Sequence, residues 1–90
     1  MSKQIAVLVG DRQSEALRMA LGLTLVDDRV DLFWLDTVPD RSPEAIQNME
    51  LLKDMGVGLY SNNKQEQATD YLAREELAGR LLQYDHIFRY

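Results

Sequence analysis

One stretch, residues 15–26, constrains this chain more than any other. It sets apolar side chains at Ala16, Leu17, Met19, Ala20, Leu21, Leu23, Leu25 and Val26, interrupted by Arg18, Gly22 and Thr24. A surface helix needs an apolar stripe of roughly 100°, and a helix apolar around most of its girth must be covered on a second side. The whole sequence has 90 residues, so little is left over to do the covering. The stretch therefore predicts a helix that packs on its own sheet with one face and on another subunit with the other. Leu17, Leu21, Gly22 and Leu25 are the expected oligomer interface, with Gly22 permitting close approach.

Length supports the same expectation. One domain spanning 1–90 buries only about 60 to 65% of its unfolded surface, and oligomerisation is the natural supplement. Hydrophobic residues make up 46% and charged residues 28%, the balance of a chain that folds around a core. The formal net charge of -5, with acids and bases interspersed, argues against nucleic acid or an anionic membrane as partner, since both need a concentrated basic surface. The N-terminal apolar run is too short for a signal core or a span, which points to the cytoplasm. There is no cysteine and only one histidine, His86, which excludes disulfides, thiolate metal sites and cysteine nucleophiles. No cofactor and no metal site is expected of a specific motif.

Around the central helix the other elements fall in order. Residues 4–10, QIAVLVG, form a short apolar run closed by a Gly-Asp turn, which predicts a strand buried on both faces. Ser14 is the expected N-cap of the helix, Glu15 complements its dipole, and Asp27 and Asp28 end it. Residues 29–36, RVDLFWLD, put Val30, Leu32 and Trp34 on one face and Phe33 and Leu35 on the other. Strand, helix, strand at this spacing is a right-handed βαβ unit. Ser42, Pro43 and Glu44 then announce a second helix with Ile46, Met49, Leu52 and Met55 along its buried face and Gly56 as its stop. Residues 57–61 read as a third strand weakened by Gly58. Helical spacing of apolar residues predicts a third helix over 70–83, and HIFRY at 86–90 a fourth parallel strand. The resulting fold is α/β, a three-layer α/β/α sandwich with a mainly parallel sheet of about four strands.

In such sheets ligands sit beyond the carboxyl ends of the strands. That edge receives Asp11 and Arg12 after the first strand, Asp36 and Thr37 after the second, and Ser61, Asn62 and Asn63 after the third. Asp11 and Asp36 are the pair that would share a divalent cation in a small metal-dependent or phosphoryl-handling enzyme, against their commoner role as turn-makers. Gly10 stands alone and makes no phosphate-binding loop. Tyr60, Tyr71, Tyr84 and Tyr90 lack the basic interleaving of a base-stacking platform.

The run EALRMALGLTLVDDRVDLFWLD, followed by GVGLYSNN and LLQYDHIFRY, resembles the small DsrE/DsrF/DsrH-like (TusBCD-like) proteins of intracellular sulfur metabolism and sulfur relay. The resemblance implies an α/β sandwich that assembles as a homo-oligomer or as a hetero-oligomer with other DsrE-like subunits. It also implies a persulfide-carrying cysteine in the loop that follows the strand within GVGLYSNN, at the position where this chain has Ser61 or Asn62. Neither can replace a thiolate in sulfur transfer. The implied function is that of a non-catalytic, cysteine-less subunit.

Overall fold

The computed structural model describes residues 3–26 and 29–90. In chain order it contains β1 (Gln4–Val9), α1 (Gln13–Leu25), β2 (Arg29–Trp34), α2 (Pro43–Asp54), β3 (Gly58–Ser61), β4 (Asp70–Tyr71), α3 (Arg74–Leu81) and β5 (His86–Arg89). The strands form one all-parallel sheet in the order β4-β3-β2-β1-β5. The fold is the expected α/β sandwich, with five strands in place of about four.

Strand alternation divides the core into two layers. β1 and β2 run in register from Gln4 beside Arg29 to Val9 beside Trp34. Residues at alternate positions therefore share a face. Ile5, Val7, Val9, Val30, Leu32, Trp34 and Leu59 pack with Ala16, Leu17 and Ala20 of α1 and with Ala45, Met49 and Leu52 of α2. Ala6 and Phe33 point the other way, onto Leu77 of α3. The steps from β1 to β2 and from β2 to β3 go one way across the sheet with helices on one face. The return through α3 to β5 reverses both direction and face, which keeps one hand throughout.

Several boundaries differ from expectation. α1 starts at Gln13 with Arg12 in the cap position and no side-chain cap. Ala16 N–H already bonds to Arg12 O at 3.0 Å, so Ser14 lies inside the first turn and does not cap. Asp27 and Asp28 lie outside the described residues. α2 begins and ends as expected: Ser42 Oγ accepts from Ala45 N–H at 3.2 Å, and Gly56 takes a φ of 88° that side chains disfavour. Its buried face is Ala45, Met49 and Leu52, at i, i+4 and i+7, while Ile46 is 46% exposed. The expected 3, 3, 3 spacing drifts off that stripe. The predicted helix over 70–83 shortens to Arg74–Leu81 because Asp70 and Tyr71 pair with Tyr60 and Ser61 as β4. Glu76 then caps the shorter helix, its Oε1 accepting from Ala73 N–H at 3.2 Å.

Gly58 is in β3 for clearance. A Cβ there would meet Tyr60 Cε2 at 2.5 Å and Asp31 Oδ1 at 2.6 Å. Asp31 is buried in the middle of β2, where it accepts from Gly58 N–H at 2.9 Å and from the Tyr84 hydroxyl. Phe33 stacks on Tyr60 and meets Tyr84 edge-on, and Arg80 covers Tyr60, donating to its hydroxyl at 2.9 Å. This polar and aromatic cluster ties the chain around α3 to the sheet.

Candidate functional site

The carboxyl ends of β2 and β3 bring Asp36 and Asn62 together across 26 residues of sequence. Asp36 N–H donates to Asn62 Oδ1 and Asn62 Nδ2 donates to Asp36 Oδ1, each at 2.9 Å. The two-point clasp holds Asp36 at a φ of 56°, the left-handed region that aspartate enters more readily than most residues. Arg74, the first residue of α3, adds a 2.6 Å bond to the same carboxylate oxygen. The Asn62 bond and then the Arg74 bond hold the Asp36 carboxyl below the ordinary aspartate value. Hydrogen bonding to the charged form is what favours ionisation here. The cluster opens onto a shallow cleft of about 330 Å³ lined by Asp36, Thr37, Asn62, Asn63 and Lys64.

The six candidate cleft residues do not converge as one site. Asp36, Asn62 and Asn63 share that cleft, whereas Asp11 and Arg12 line depressions beside the start of α1. Arg12 pairs with Glu15 at 3.6 Å and lies over the Tyr90 ring. Ser61 is in neither place. It is fully buried, its Oγ accepting from Thr69 Oγ1 at 2.9 Å and from Asn63 N–H at 3.1 Å. It organises the turn after β3 and presents nothing to the surface. The Asp11 and Asp36 pair expected for a cation is thus divided between clefts, and Asp36 is already engaged by Arg74. Among the described residues no three carboxylate or imidazole side chains cluster.

The interface residues also separate. Leu17 is 1% exposed and belongs to the chain's own core, so it is not available to a partner. Leu21 packs partly against the same core. Gly22 and Leu25 do face outward: a Cβ on Gly22 would find no atom within 4 Å, and Leu25 is 79% and Val26 67% exposed.

Three organising residues carry no signal in the sequence. Gln13 joins α1 to the loop before α2, accepting from Asp40 N–H at 2.7 Å and Trp34 Nε1 at 3.3 Å and donating to Val38 O at 3.0 Å. Arg74 completes the Asp36 clasp. Glu66, buried in the loop after β3, binds Arg41 at 2.9 Å beside a 440 Å³ groove between that loop and α2. Each joins segments 21 or more residues apart, beyond the reach of local spacing.

No helix among the described residues is long and apolar enough to cross a membrane. No family model matches the chain, and neither does a curated protein or a solved structure.

Proposed function

We propose that the chain is a non-catalytic, DsrE-like subunit of a cytoplasmic sulfur-relay assembly, acting by docking to copies of itself or to cysteine-bearing relatives. The observation that carries this reading is the outer face of α1, where Gly22, Leu25 and Val26 leave an uncovered apolar end on a helix already packed into its own core. Large exposed side chains grouped on one face mark interaction surfaces more often than isolated ones do. The missing cysteine and the buried, internally bonded Ser61 support a role without sulfur carriage.

Leu25 is the residue to test, because it contributes to the face without contributing to the core. A Leu25→Glu change is expected to leave the melting temperature within a few degrees and to lower the native mass below the parent's. A variant that keeps the parent's native mass contradicts the interface.

A second reading draws on the Asp36, Asn62 and Arg74 clasp beside Lys64: a site for a small anionic ligand at the strand ends, in a phosphoryl-handling enzyme. Inorganic phosphate would then raise the melting temperature by mass action, and Arg74→Gln would remove that gain.

A further inference from the structure

The two edges of the sheet are treated differently. β4 has two residues, and a very short edge strand offers little to pair with. β5 has four, all exposed, and includes neither the lysine nor the proline that commonly guards an edge. Ile87 is 46% and Phe88 38% exposed, and Leu82, shortly before the strand, is 87% exposed.

Backbone geometry identifies which β5 residues face out. Tyr90 N–H bonds to Leu8 O at 2.9 Å, and Tyr90 O accepts from Gly10 N–H at 2.5 Å. Main-chain groups of alternate strand residues point to opposite edges. Phe88 and His86 therefore also turn toward β1, and Ile87 and Arg89 present their N–H and C=O groups outward.

We propose that this edge receives a second copy of the chain, antiparallel, about a two-fold axis at Ile87, so that the two sheets become one. Outward groups close hydrogen bonds only when odd-numbered residues meet odd-numbered residues. The axis at Ile87 satisfies this and sets Ile87 against Ile87 and His86 against Phe88. It also sets Asp85 of each copy opposite Arg89 of the other. Within one chain those two residues are roughly 13 Å apart along an extended strand, and Arg89 makes no ion pair with any described residue. The registers shifted by two residues keep the backbone parity but put Arg89 opposite Ile87 or Gln83 and forfeit both charge pairs. Asp85 lies just before β5 with its N–H and Oδ2 turned inward to Gln4, so it adds no N–H bond across the axis, and its Oδ1 is the group left for Arg89 of the second copy. The charges select the register, while the strand bonds and the covered Ile87 and Phe88 supply affinity. A C2 contact of this kind is self-complementary and closed. It is independent of the α1 face described above.

The chain's lack of cysteine makes the axis directly testable. Across a hydrogen-bonded antiparallel pair the Cα atoms are about 5.5 Å apart, within disulfide range. Ile87→Cys is expected to cross-link to a covalent dimer under mild oxidation, and Phe88→Cys, displaced along the strand from its own copy, to remain monomeric on a denaturing gel. No cross-link at position 87, or an equal one at 88, overturns the register. Charge swaps give a second readout. Arg89→Glu and Asp85→Lys each set like charges opposite in their own homodimers, while a mixture restores both attractive pairs. With Leu25→Glu present throughout to remove the α1 contact, the expected result is that each variant alone sediments as a monomer and the mixture as a heterodimer. Homodimers that persist in Arg89→Glu overturn the proposal, and the cross-linking decides it should Asp85→Lys fail to fold without its bonds to Gln4.

Discussion

Asp31 shows how one residue can organise a face of the sheet. Its carboxylate, deep in β2, satisfies Gly58 N–H and the Tyr84 hydroxyl, and a buried group of either kind left unpaired costs about 1–3 kcal/mol. Burial and then the bond to Asp31 push the Tyr84 hydroxyl up to about 12 from its ordinary 10.0. A folded-state value above the unfolded one means that the contact contributes its full stability below pH 10 and loses it as pH rises through about 12. The melting temperature of the parent is therefore expected to fall more steeply between pH 10 and 12 than that of Tyr84→Phe. Parallel curves would contradict the assignment. None of this was readable beforehand: Asp31 occupies a position that alternation allots to the face opposite Val30 and Leu32, and its partner Tyr84 lies 53 residues away. The same distance problem hid Arg74, whereas Asp36 and Asn62 were legible as strand-end residues because a parallel sheet delivers its loops to one edge.

At the scale of elements, boundaries followed competition between neighbouring hydrogen-bond partners. Ser14 has the chemistry of a cap, but Gln13 is drawn into the helix and its side chain fastens two groups of the loop before α2 and the indole of Trp34 in β2. With neutral bonds contributing about 0.5–1.5 kcal/mol each, Gln13→Ala is expected to cost about 2 kcal/mol in denaturant unfolding. It should also shift the emission of Trp34, the chain's single tryptophan, whose indole loses its acceptor. An unchanged midpoint would show that water replaces Gln13 without loss. α2 was read well because Ser42, Pro43 and Gly56 are local signals whose partners lie within a few residues. The 70–83 segment was misread because helical spacing of Leu72, Leu77 and Leu81 conceals a strand pair formed by Asp70 and Tyr71. Leu72 and Leu81 still reach the α3 layer, so the apolar pattern marked burial correctly while missing the backbone that achieves it.

For the whole molecule, the buried strands and the apolar helix prescribe the α/β sandwich, since a parallel sheet must be covered on both faces. The interior is complete within one chain: Trp34, Phe33, Leu32 and Leu17 are all fully or almost fully buried. The most exposed apolar side chains, Leu25, Val26 and Leu82, lie at the end of α1 and shortly before β5, and β5 itself adds Ile87 and Phe88 on an open edge. The account therefore rests on association. The most direct measurement is native mass spectrometry of the tagged protein purified gently from its own cells. The expected result is an assembly of defined stoichiometry in which this chain accompanies copies of itself or a cysteine-bearing DsrE-like chain. A bare monomer, at concentrations where Leu25→Glu and the parent are indistinguishable, would contradict it.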